Sequence, residues 1–124
     1  MIKLLTCHCN SVQIGVHLAN GLQNLDRCNC SICSKRNAVV ARIPLVNLRI
    51  IKGREFLSCY TFNTHAAKHY FCSICGIYTH HQRRANHNEF SINVACLQGV
   101  RIEDYQNVPF SDGRNNHPSD AKNR

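Results

Sequence analysis

Seven of the nine cysteines fall into three short clusters, and their spacing limits the fold more than any other feature. Cys7-x-Cys9 comes first, Cys28-x-Cys30-x2-Cys33 follows, and Cys72-x2-Cys75 ends directly before Gly76. An odd total leaves at least one thiol unpaired in any disulfide scheme. The opening segment MIKLLTCHCN lacks an apolar run long enough for a signal peptide, and no later segment approaches a membrane span. A cytoplasmic location is therefore expected. In that reducing setting clustered thiols serve as metal ligands or catalytic groups rather than disulfides.

Cys-x2-Cys followed by Gly is a zinc knuckle: the turn aims two thiolates at one metal, and glycine accepts the backbone conformation that closes it. Such a pair needs two further ligands. Joined with Cys7 and Cys9, Cys72 and Cys75 close a four-thiolate site, and Cys28, Cys30 and Cys33 remain as a second site with three ligands. Three protein ligands with an open fourth position mark a catalytic rather than a structural zinc. Pairing Cys72 and Cys75 with two middle cysteines would instead strand Cys7 and Cys9. The first scheme wastes fewer thiols, although spacing alone leaves both open. A redox role for Cys72 and Cys75 is disfavoured, because no βαβ pattern surrounds them. Cys59 and Cys96 stand alone in strand-like segments and are expected to be small buried apolar residues.

The 124 residues suit one domain with a modest core. VQIGVHL (12–18) alternates as a half-buried strand, and AVVARI (38–43), LRIIK (48–52), FLSCYTF (56–62), KHYF (68–71), IYTHHQ (77–82) and EFSINVA (89–95) are further strand candidates. Gly53, 63–67 and 83–88 read as turns or loops. No segment offers ten residues at helical spacing, so helix is confined to short turns near 31–37 and 44–48. The chain reads as a mainly β domain with a thin core, for which a structural zinc can supply much of the folding free energy, on the order of 10 kcal/mol in zinc-finger peptides.

The formal charge is +8, which favours anionic partners. A four-thiolate zinc carries about −2 and a three-thiolate zinc about −1, so the thiolates offset some of these cations. Lys35-Arg36 and Arg83-Arg84 are only short basic pairs, which weakens the case for nucleic acid. Among the histidines His8 is set aside. His65, His69, His80 and His81 form a group from which one could transfer protons or orient a substrate near the open site, and no single catalytic residue stands out.

In their order and distances, the three clusters resemble the glutathione-dependent formaldehyde-activating enzyme (GFA) family. DRCNCSICSKR (26–36) and YTFNTHAAKHYFCSICGI (60–77) are especially similar to the branch that includes centromere protein V. The resemblance runs from about residue 3 to 105. It implies a mainly β, Mss4-like fold of several small coiled antiparallel sheets, with a domain over 1–107 and a partly ordered or disordered extension over 108–124. It implies two Zn2+ per chain: a structural zinc on Cys7, Cys9, Cys72 and Cys75, and a catalytic zinc on Cys28, Cys30 and Cys33. It also implies a carbon–sulfur lyase that adds glutathione or a similar thiol to a small aldehyde such as formaldehyde, giving an S-hydroxymethyl adduct. A vacant zinc position can deprotonate a bound thiol or polarise an aldehyde oxygen. Lys35 and Arg36, beside the middle cluster, are candidates for holding glutathione's carboxylates. The alternative is a zinc-stabilised module that binds nucleic acid or an acidic protein without catalysis; no membrane partner is expected.

Overall fold

The alternating segment of the N-terminal half forms strand β2 (Gln13–His17), with Ile14 and Val16 fully buried on one side. A computed structural model describes residues 2–116 of the chain. β2 pairs antiparallel with β1 (Ile2–Thr6) and with β5 (Leu48–Lys52), giving a three-stranded sheet ordered β1-β2-β5. Gly53, at φ 87°, leads out of β5 where a Cβ would lie 1.8 Å from the Ser11 carbonyl oxygen, so only glycine fits.

The second sheet has seven strands in the order β10-β3-β4-β9-β8-β7-β6. They are β3 (Leu25–Cys28), β4 (Val40–Pro44), β6 (Leu57–Tyr60), β7 (Lys68–Cys72), β8 (Tyr78–Gln82), β9 (Glu89–Asn93) and β10 (Phe110–Ser111). All neighbours are antiparallel except β10, which runs parallel to β3. Helix α1 (Ser31–Arg36) and a 3-10 turn at Leu45–Asn47 lie where short helical turns are expected. A second short helix, α2 (Gly113–Asn116), closes the described chain.

Pleating assigns the two faces of the larger sheet different tasks. Ala41, Ile43 and Ile92 join Leu5, Val12, Ile14, Val16, Val94 and Leu97 in one apolar core between the sheets. Fully burying a valine, leucine or isoleucine side chain contributes roughly 1.5–3 kcal/mol. The Gln98 amide donates to the Leu4 carbonyl at 2.9 Å and ties the end of the larger sheet to the smaller one. The alternate residues, among them Arg42 and Ser91, face away from this core and line a cavity.

Every segment expected as a strand contains one. β1, β3 and β10 are additional. β1 buries only Leu5, and β3 is four half-buried residues, LDRC, so neither shows a clear two-residue period. The expected extension over 108–124 begins with β10, whose pairing with β3 brings residues 110–114 back against the middle cysteine cluster; 117–124 lie outside the described residues.

Candidate metal centres and active site

Two backbone turns build the first thiol cluster. After β7, the Gly76 amide donates to the Cys72 carbonyl at 2.8 Å, the Cys72 amide donates to the Ile77 carbonyl at 3.0 Å, and Gly76 takes φ 80°. The turn after β1 is similar: Asn10, at φ 65°, donates to the Cys7 carbonyl, and Cys7 donates to the Val12 carbonyl at 3.2 Å. Backbone amides also reach the sulfurs, Val12 N to Cys7 Sγ at 3.3 Å and Ile74 N to Cys72 Sγ at 3.4 Å.

These turns bring Cys7, Cys9, Cys72 and Cys75 together, with all four sulfurs within 4.8 Å of one another. Cys7 and Cys9 are 3.6 Å apart and Cys9 and Cys72 are 3.7 Å apart. Zinc–sulfur bonds of about 2.3 Å in a tetrahedron place sulfurs about 3.8 Å apart, so this donor set fits zinc. Cys7 and Cys72 belong to the core, at 2% and 0% exposure. Burial pushes the Cys72 thiol up to about 11. At Cys75 burial is opposed by amide hydrogen bonds from Ile77 and Cys9, and its thiol falls to about 6.

The second cluster joins the end of β3 to the start of α1. Cys28 closes the strand, Cys30 caps the helix in extended conformation, and Cys33 lies one turn in. Their sulfurs also converge within 4.8 Å, and the Cys30 amide approaches Cys28 Sγ at 3.4 Å. All three are half-buried. Hydrogen bonds from Cys28 and then Cys33 pull Cys30 far below the usual thiol range, while the same contacts, with burial, hold Cys33 far above it. Three converging thiols are a donor set that a metal can complete by replacing their protons.

Residues from the end of β10 onward clamp this loop. The Asn29 amide donates to the Ser111 carbonyl at 3.2 Å, Asn29 Nδ2 donates to Asp112 Oδ1 at 3.1 Å, and the Arg114 amide donates to Asn29 Oδ1 at 2.9 Å. Ser111 Oγ donates to Asp26 Oδ2 at 3.0 Å.

The three thiols open onto a cavity of about 400 Å3. Its floor follows from sheet register: Arg42 pairs with Ser91, Ser91 with His81, and His81 with His69. All four lie in one row across β4, β9, β8 and β7 on the face opposite the core, and all line the cavity. Arg83 and Arg84 complete a basic wall, where Arg83 pairs with Glu89.

The four candidate histidines therefore separate. His69 and His81 reach the cavity. His80, on the other face, stacks on Tyr70, meets Phe90 edge-on and shares a 2.9 Å hydrogen bond with Thr79. His65 is exposed in a turn at φ 59°, bonded to Thr61 at 2.8 Å. Burial, with Arg36 nearby, lowers His69 to about 4, and burial lowers His80 to about 4.

Lys35 is exposed on α1, and Arg36 lies over the Tyr78 ring at 3.8 Å. The cavity cations are instead Arg42, Arg83 and Arg84. Arg42 is not singled out by the sequence, where its one signal is that it stands as the lone cation in the apolar run 38–43. The expectation for Cys59 is corrected: it is exposed, because edge strand β6 turns it away from the core. Cys96 is half-buried, beside the Asn93 side chain and the Tyr78 carbonyl rather than in purely apolar surroundings.

Among the described residues no helix is long and apolar enough to cross a membrane. Residues 4–108 match the family model of the glutathione-dependent formaldehyde-activating enzyme. The chain is also similar to a crystal structure described as that of a Rhodobacter sphaeroides protein, with 49% sequence identity and a TM-score of 0.83, over 87% of this chain and 99% of that one. Two thiol clusters able to hold metal ions, on a mainly β framework matched across most of its length, thus place this chain in the glutathione-dependent formaldehyde-activating enzyme family.

Proposed function

We propose that this protein is a zinc-dependent carbon–sulfur lyase of the cytoplasm that joins glutathione, or a similar anionic thiol, to a small aldehyde and releases the same pair in reverse. Two zinc ions per chain belong to this reading, a structural one on Cys7, Cys9, Cys72 and Cys75 and a catalytic one on Cys28, Cys30 and Cys33. The observation that carries it is the second cluster: three converging thiols, one short of a tetrahedral set, on the wall of a cavity lined by arginines. Zinc there would supply Lewis acidity toward a substrate thiol or aldehyde oxygen.

The chain's own residues contribute the rest. Arg42 projects from the sheet floor and its Nε has no hydrogen-bond partner among the described residues. A planar guanidinium with unused donors suits a carboxylate. Confining thiol and aldehyde in one cavity removes the orientational penalty of their encounter. A place in the centromere protein V-like branch rests on the wording of residues 26–36 and 60–77.

The test is exchange NMR on a mixture of glutathione and formaldehyde. The protein should accelerate interconversion of free glutathione and its S-hydroxymethyl adduct, and Cys30→Ser should abolish that acceleration while remaining folded. Exchange at the uncatalysed rate in the zinc-loaded wild type would reject the lyase reading. The binding-module alternative would then require retention on duplex DNA that weakens steeply with salt.

A further inference from the structure

The row of side chains on the cavity floor contains one group whose chemistry the thiol sites do not explain. His69 is only 3% exposed, yet neither ring nitrogen has a hydrogen-bond partner among the described residues. Leaving a buried polar group unpaired is costly, and such groups persist where a ligand meets them. The His69 ring is held by packing alone, with Phe62 at 5.8 Å on one side and His81 at 5.0 Å on the other.

His81 is fixed differently. Its Nδ1 lies 2.5 Å from the Tyr78 hydroxyl, and the Tyr78 ring is covered by the Arg36 guanidinium. Burial holds the Tyr78 phenol well above its usual range, so it keeps a hydrogen to donate. With Nδ1 accepting, the ring hydrogen of neutral His81 resides on Nε2.

Resting on the lyase reading, we propose that His69 is the catalytic proton-transfer residue of the thiol–aldehyde reaction, and that His81, oriented by Tyr78, is its positioning residue. In the addition direction a nitrogen of neutral His69 takes the proton from the substrate sulfur. The sulfur lone pair forms the C–S bond as the carbonyl π bond breaks toward oxygen. The same imidazole then returns the proton to that oxygen, so the S-hydroxymethyl adduct forms with no other reactant. The reverse sequence releases aldehyde and thiol. The other polar groups at the cavity serve this step less well: arginines do not release protons, and Asp26 accepts a hydrogen bond from Ser111. Burial keeps His69 neutral at physiological pH, the form needed to accept a proton.

Two measurements test this. By exchange NMR with glutathione and formaldehyde, His69→Asn should slow the catalysed interconversion about 100-fold with metal content and Tm unchanged. His69→Ala should be slow and regain rate with added imidazole, and Tyr78→Phe should lose less than His69→Asn. Independently of turnover, 15N spectra of wild-type imidazoles should hold His81 in one tautomer and shift His69 when glutathione is added. A His69→Asn variant as fast as wild type, an unrescued His69→Ala variant, or a His69 signal indifferent to glutathione overturns the proposal and leaves the lyase reading intact. A wild type that does not accelerate exchange overturns both.

Discussion

The seven-stranded sheet has two sides that use the same residue types to opposite ends. On the core side, Cys7 and Cys72 are packed among Leu5, Val12 and Ile92, and His80 stacks on Tyr70 and meets Phe90 edge-on with Thr79 as its partner. On the cavity side, Cys28, Cys30 and Cys33 are half-buried, and among the described residues His69 has no partner for either nitrogen. Cys7 and Cys72 reach into the apolar core, Cys75 is half-buried and Cys9 exposed, and together the four sulfurs join turns more than sixty residues apart in the chain. Cys28, Cys30 and Cys33 bring three sulfurs together on the cavity wall. Donor number, four sulfurs against three, is what distinguishes the two clusters.

Cutting the two sides separately should break this contrast most sharply. Cys72→Ser removes a donor from the core joint, and because structural zinc contributes on the order of 10 kcal/mol in small domains, it should abolish cooperative unfolding in a thermal melt. Cys30→Ser should leave a cooperative melt with a midpoint within a few degrees of wild type. Equal damage from both substitutions would erase the distinction.

The histidines sharpen it in a second way. His80 drops from its usual 6.5 to about 4 through burial. Between those values the unfolded chain binds the proton and the folded one does not, so stability is full above pH 6.5 and declines as pH falls toward 4. The decline amounts to about 3 kcal/mol. His80→Phe keeps a packed ring without the titration, so denaturant unfolding at pH 7 and pH 4.5 should show a smaller loss than in wild type. Identical losses would mean that His80 is not held neutral by the core.

The smallest effect concerns the cavity's cations. Arg42→Met should raise KM for glutathione about tenfold while kcat changes little, the pattern of lost ground-state binding. Lys35→Met, altering an exposed side chain, should leave both unchanged within twofold. A response to Lys35→Met as large as that to Arg42→Met would move the substrate's carboxylates from the cavity floor to α1.

Much of this organisation was legible because short-range chemistry dictated it. Cys72-x2-Cys75-Gly76 specifies its own turn, and the Gly76 conformation follows from the spacing. The alternation at 12–18 specifies β2 and its buried face. What escaped depends on register. Arg42, Ser91, His81 and His69 come from four strands and meet only because each pair is opposite in the sheet. A one-residue slip would send every one of them into the core, and nothing local to any one residue reveals that alignment. β10 escaped for a related reason: two residues pair only because β3 offers an edge. Arg36 stands beside the middle cysteines in sequence, whereas in the fold Tyr78, distant in sequence, captures it.

The central claim, that one cluster builds the fold and the other performs chemistry, is tested most directly by metal content. Zinc per chain should be two in the wild type and one in Cys30→Ser, with both proteins giving the same near-ultraviolet circular dichroism. A wild type that binds a single zinc, or a Cys30→Ser variant that loses its tertiary signal together with its metal, would contradict the account.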